Sequence, residues 1–134
     1  MLDDEAVLFA NEAFYRAFND RDIDAFEEMW AADDAVACIH ASGELLVGRA
    51  EVMDKWRRIF ASRYSPIVEF HEPRAFICGD VAFVISYEVS GGRSLVGTNV
   101  FRRARRRWRM VHHQSGRVAA TVPFADAPPP PPAN

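Results

Sequence analysis

Long apolar runs are missing from this chain: no stretch approaches the roughly 18 residues of a membrane span, so no membrane partner is expected. Cysteine is scarce. Cys38 and Cys78 lie far apart and form no ligand spacing, so they read as two reduced, buried thiols, with a disulfide left open. A basic excess is also absent: sixteen Lys and Arg against nineteen Asp and Glu leave a formal net charge of -3, with no general attraction to nucleic acid. Neither a Gly-rich phosphate loop nor metal-ligand spacing occurs, so no cofactor and no metal are expected. The opening residues carry Asp3, Asp4 and Glu5 where a secretory signal would be basic, which gives a cytoplasmic location as the expectation.

What is present is enough for one core. A chain of 134 residues buries about two-thirds of its unfolded surface on folding. Hydrophobic residues make up 49% and aromatics 12%, which excludes disorder for all but the end of the chain. The reading is a single domain over residues 1–124 and a tail over 125–134. That tail holds five consecutive prolines and is expected to be an extended, solvated polyproline segment.

Two helices open the chain. Val7, Ala10, Phe14, Ala17 and Phe18 recur at helical spacing behind the acidic cap residues Asp3, Asp4 and Glu5. Tyr15 borders this stripe, its ring buried and its hydroxyl free to reach a cavity. Asp22 can cap a short second helix with Ile23, Phe26, Met29 and Trp30. A strand over 35–40 follows, with Val36, Cys38 and His40 on one side, then a turn at Ser42, Gly43 and Glu44. Val52, Trp56, Ile59 and Phe60 mark a third helix that should lie across a sheet.

From Ile67 onward the period is two. Strands are predicted over 67–72, 74–78, 81–89, 95–103 and 107–118, with Pro73 marking a bulge inside one long strand. In 81–89 the bulky odd positions Val81, Phe83, Ile85, Tyr87 and Val89 are expected to face the helices. Val84, Val96, Val100 and Val111 would then form an apolar band on the outer face, which calls for a partner, and a two-fold homodimer through that face is expected. Helices first and a meander afterwards is an α+β pattern.

The last strand carries the functional reading. Its period of two places Trp108, Met110, His112 and Gln114 on the inward side and Arg109, Val111, His113 and Ser115 on the other. The inward side grades from aromatic to polar, which suits the wall of an apolar pocket with a polar floor. His112 is the candidate acid or base, with Tyr15 as donor and His40 as a second acid/base group. Asn99 and Gln114 would hold a carbonyl or hydroxyl. Trp30, Trp56, Phe60, Phe83, Tyr87, Phe101 and Met110 are the candidate ligand-binding lining. His112 and His113 point to opposite faces, which argues against a shared metal ion. Asp33 and Asp34 follow a helix and precede a strand, so turn and capping roles are expected of them. The basic run at Arg102, Arg103, Arg105, Arg106 and Arg107 has no stacking platform interleaved with it and reads as a solvated turn.

Several segments in order, Trp30 to Asp34, Cys38 to His40, Gly43 to Arg49, Gly97 to Phe101 and Trp108 to Ser115, together resemble the nuclear transport factor 2-like superfamily and its SnoaL-like group. The resemblance implies a cone-shaped, cystatin-like fold with three helices on a strongly curved antiparallel sheet, in the order α-α-β-α-β-β-β-β. It implies a pocket between them and a homodimer, and leaves the activity open among isomerases, cyclases, dehydratases and binders. Ketosteroid isomerase relatives carry an aspartate base where this chain has Ile39 and His40, so that mechanism is not carried over. The expected function is therefore a SnoaL-like domain binding a small molecule in an apolar pocket with a polar floor; whether it is an enzyme is left open, and any chemistry there would be cofactor-independent proton transfer of isomerase, dehydratase or cyclase type. The alternative is a non-catalytic dimeric interaction module with a filled pocket.

Overall fold

The structure is a computed structural model describing residues 2–118, so the proline tail lies outside the described residues. Helix α1 (Asp3–Asp20) buries Val7, Phe14, Ala17 and Phe18 as its stripe predicts, and Tyr15 is only 2% exposed. The carboxylates of Asp3, Asp4 and Glu5 stand in its first turn, beside backbone N–H groups that lack helical partners. Helix α2 (Ile23–Met29) is capped by Asp22, whose Oδ1 accepts from the Ala25 N–H at 3.1 Å. Its far end is held by Arg49, whose guanidinium donates to the carbonyls of Glu27 at 3.0 Å, Trp30 at 3.3 Å and Ala31 at 2.8 Å. Glu27 lies in the last turn of the helix, Trp30 is its C-cap and Ala31 follows it, so one side chain ties the helix end to the chain that leaves it.

Strands β1 (Ala37–Ile39) and β2 (Leu45–Val47) precede helix α3 (Arg49–Ala61), and β3 (Glu69–Cys78), β4 (Val81–Ser90), β5 (Arg93–Ala104) and β6 (Arg107–Arg117) follow it. They form one curved sheet in the order β2-β1-β6-β5-β4-β3. All neighbours are antiparallel except β1 and β6, which run parallel. The α+β order read from the sequence is present, with the three-residue β2 added between the expected turn at Ser42 to Glu44 and α3. Strand β3 is one long strand whose register shifts between His71 and Arg74, and Glu72 takes a φ of 53° beside Pro73. Helix α1 packs on β3, β4 and β6, and α3 on β1 and β2. Between them Phe14, Phe26, Trp30, Val52, Trp56 and Phe60 form an aromatic-rich core.

Two expectations about strand faces are overturned. In β4 the small even positions Ala82, Val84, Ser86 and Glu88 are buried against the helices, whereas Phe83, Ile85 and Tyr87 are half-buried on the outer face. The helices already supply large aromatics to the core, so close packing beneath them is met on β4 by Ala82, Val84 and Ser86 and not by its bulky residues. Val84 accordingly belongs to the inner face. In β6 the alternation breaks at Val111: Phe101 pairs with Met110 while its neighbour Val100 pairs with His112, so Val111 has no opposite residue. That bulge shifts the phase by one residue. Met110, His113 and Ser115 point inward, and His112 and Gln114 pair with Val100 and Thr98 on the outer face.

Candidate functional site

The shifted phase assembles a site that the sequence reading contained only in part. An open-ended cavity of about 220 Å³ lies between α1, α3 and the sheet. Its apolar wall is Phe14, Phe18, Trp56, Ile59, Val68 and Leu95, and its polar groups come from Tyr15, His40, Glu88, Ser90, His113 and Ser115.

Behind that polar side runs a closed ring of hydrogen bonds. The Tyr15 hydroxyl donates to Glu88 Oε2 in a short contact, and Ser115 Oγ donates to Glu88 Oε1 at 2.6 Å. Ser115 Oγ also lies 3.1 Å from His113 Nε2, and His113 Nδ1 lies 2.5 Å from Asn99 Oδ1. Asn99 Nδ2 closes the circuit toward the Tyr15 hydroxyl at 3.5 Å and donates to Asn11 Oδ1 at 2.7 Å. With the Asn99 amide so oriented, His113 carries its proton on Nδ1, and its bare Nε2 accepts from Ser115 only when the single hydroxyl proton turns from Glu88 toward it. The members come from α1, β4, β5 and β6, so only the folded chain makes the ring.

Burial sets the charge states. It pushes the His113 imidazole down to about 3, with His40 and His112 adding to the effect, so the ring is neutral. Burial raises the Glu88 carboxyl, partly offset by the hydrogen bonds from Ser115 and Tyr15. The Tyr15 phenol is raised well above its ordinary value, first by burial and then by the nearby Glu88 charge. His40 is lowered by burial and by Lys55, with Glu44 opposing. Its Nε2 lies 3.5 Å from the Cys38 sulfur, and burial raises that thiol to about 12. Cys38 is therefore a thiol and not a thiolate nucleophile.

Of the residues chosen from sequence, Tyr15, His40 and Trp56 line the cavity, and Asn99 joins the ring behind it. Trp30, Phe60, Phe101 and Met110 are core side chains that do not line it. Phe83 and Tyr87 lie on the outer face, away from the site. His112 and Gln114 are corrected likewise: His112 Nδ1 meets the Ala37 carbonyl at 2.9 Å on the neighbouring strand, and Gln114 is exposed. His113, expected outside, is 5% exposed and packs against Phe14 at 5.1 Å between ring centroids. Cys78 is exposed and both cysteines are free. Asp33 has the expected turn role, accepting from the Ala35 N–H at 3.0 Å while pairing with Arg102 at 2.7 Å. Among the described residues no group of three His, Cys, Asp or Glu side chains converges to hold a metal ion.

This arrangement of three helices on a curved sheet around a cavity can be compared with known proteins. The sequence profile of the SnoaL-like domain family matches residues 7–120. The chain belongs to the SnoaL-like domain family. The F-box protein SKIP8 of Arabidopsis thaliana is 38% identical over 113 residues, covering 82% of this chain and 48% of that protein. The SnoaL-like domain thus spans about half the length of that curated relative. A solved structure from Thiobacillus denitrificans, a candidate calcium/calmodulin-dependent protein kinase type II association domain, is 33% identical with a TM-score of 0.74, covering 81% of this chain and 92% of its own. A candidate dehydratase of the nuclear transport factor 2-like family from Streptomyces avermitilis is 26% identical with a TM-score of 0.77, covering 87% and 96%.

Within this SnoaL-like domain the sequence reading missed Glu88, His113, Ser115 and Asn11. One signal for Glu88 was present: a lone acid inside the apolar run 81–89, on the same side as Ala82, Val84 and Ser86. The same side of β5 carries Gly97, where an added Cβ would lie 2.5 Å from Glu88 Oε2. A glycine inside a strand often marks such a close approach. The phase of β6 had no comparable sign. Among the described residues no helix is long and apolar enough to cross a membrane.

Proposed function

We propose that this SnoaL-like domain binds a small, largely apolar molecule in its cavity and exchanges protons with it through Glu88 and His40, with Tyr15 and Ser115 holding the Glu88 carboxyl. The observation that carries the reading is a buried ring of hydrogen bonds with one side open to an apolar cavity. A ring of this kind that served the core alone would not need a void beside it. In its acid form, which burial favours, Glu88 can hand a proton to a carbonyl or hydroxyl oxygen. The resulting carboxylate keeps the donors Tyr15 and Ser115, which limits the energy of the charge. His40, held neutral, offers one bare ring nitrogen to take a proton from the ligand. Isomerisation, dehydration and cyclisation all fit this pair, and the likeness to a candidate dehydratase supports the class.

Native mass spectrometry of the purified protein tests the binding reading, with retained metabolite expected on the wild type and lost in Leu95→Trp, which fills the cavity. If the bare mass alone is seen and no compound from a set of small aromatic alcohols and ketones raises the melting temperature, the reading fails.

A second reading, self-association through the outer sheet face, has its own observation. Phe76 and Phe83 stack there at 4.8 Å between centroids, and Phe76 and Val96 are each 41% exposed. Light scattering should give twice the chain mass for the wild type and the monomer mass for Phe76→Glu with Val96→Glu. A monomeric wild type at micromolar concentration excludes it.

A further inference from the structure

The chemistry of the cavity wall narrows the ligand. Glu88 is 3% exposed, lines the cavity, and is the sole carboxylate among the lining residues, which include neither Lys nor Arg. Among the described residues no cation lies within salt-bridge distance of it. A buried carboxylate without a counter-ion is costly, and here the chain supplies none. The groups facing it are Tyr15 from α1, Ser115 and His113 from β6, and His40 across the cavity. Lys55 on α3 is paired with Glu44 at 3.2 Å. Tyr15 and Ser115 occupy one acceptor site on each oxygen, and a carboxylate has about four, so about two remain for a ligand. The surrounding wall is aromatic: Phe14, Phe18, Trp56 and the Tyr15 ring, itself stacked on Phe70 at 4.7 Å. Aromatic faces and one desolvated carboxylate are what an organic cation seeks.

We infer that the cavity recognises a small amine in its protonated form, an ammonium on a compact apolar body, with Glu88 as its counter-charge. The inference rests on the reading of the cavity as a ligand site and names the ligand's polar group. An anionic ligand would meet Glu88 with no cation to offset it. An ammonium would fill the remaining acceptor sites and favour the carboxylate over the carboxyl form of Glu88, so that any proton the free site holds leaves to solvent.

Benzylamine, benzyl alcohol and benzoate share one apolar body and differ in the polar group, so titration calorimetry with the three separates the cases. Benzylamine should bind at least about tenfold more tightly than benzyl alcohol, and benzoate should not bind measurably. Proton release should appear as a dependence of the heat on buffer ionisation enthalpy. Glu88→Gln should remove the advantage of benzylamine over benzyl alcohol, bringing the ratio of their affinities to about one. Should that variant fail to fold, the wild-type pH profile decides: benzylamine affinity is expected to rise as pH rises through the titration of Glu88, and a flat profile overturns the inference. Alcohol binding with no advantage for the amine, or benzoate binding as tightly as benzylamine, sinks the amine proposal and leaves the cavity reading standing. Failure of all three probes to bind removes both.

Discussion

The carboxylate of Glu88 fills the space that a side chain at Gly97 would take. A Cβ at that position would fall 2.5 Å from Glu88 Oε2 and 2.8 Å from Cδ. Gly97 pairs with Ser86 on one side and Ser115 on the other, so three small residues in a row floor the acid. Gly97→Ala is therefore expected to push Glu88 off Ser115 and Tyr15, with a stability loss of about 1–3 kcal/mol. Urea unfolding measures the loss. The double variant Gly97→Ala with Glu88→Ala should recover part of it, and an equal or larger loss in the double variant would contradict the contact.

Acid sensitivity follows from His113. Its folded value of about 3 lies below the ordinary 6.5, so between these the unfolded chain binds the proton more readily. The stability gained by keeping the ring neutral is complete above pH 6.5 and is lost as pH falls toward 3, with a slope approaching 1.4 kcal/mol per pH unit. Glu88 acts in the opposite sense: its raised value makes stability fall as pH rises from the ordinary carboxylate range through its folded value. Urea midpoints from about pH 4 to about pH 7 should show a flatter acid-side loss in His113→Phe and a steeper one in Glu88→Gln. Parallel profiles in all three proteins would refute the assignment.

Trp56 contributes by ring area more than by its N–H. Its Nε1 is buried without a partner among the described residues, while the ring contacts Phe14, Phe18, Phe26, Phe60, His40 and His113. Trp56→Phe should cost less than about 1.5 kcal/mol, because it removes an orphan donor along with part of the ring. Trp56→Ala should cost about 3–5 kcal/mol. Equal losses on thermal unfolding would show that the N–H matters more than the packing.

The β5–β6 hairpin turns on two arginines in the left-handed region, Arg105 at φ 51° and Arg106 at φ 69°. Consecutive positive φ values favour Asn-Gly at such a two-residue turn. Replacing Arg105 by Asn and Arg106 by Gly is expected to stabilise the domain by about 1 kcal/mol. A lower melting temperature in the double variant would mean that these side chains make a contribution larger than the strain they cause.

Local signals carried much of this protein. The stripe of Val7, Phe14, Ala17 and Phe18, the Asp22 cap, the Val52 to Phe60 face and the break at Pro73 were all legible, because helical periodicity, capping and proline chemistry act over a few residues. So was the family, whose segments follow one another along the chain. Tyr15, His40 and Trp56 were assigned to the cavity for the same reason, each lying on a face that its own neighbours define.

The phase of a strand is a different kind of property. Trp108 to Gln114 alternates without fault in the sequence, yet Val111 has no opposite residue on β5, and that single mismatch moves His113 and Ser115 inward and His112 and Gln114 outward. Side-chain size misled in β4 as well, since the face with smaller residues was the one needed beneath helices already rich in Phe and Trp. Pattern along the chain determined which elements form. Pairing across the sheet, and the volume the helices left unfilled, decided that Glu88, Ser115 and His113 meet beside a cavity, because register and packing depend on residues far apart in sequence.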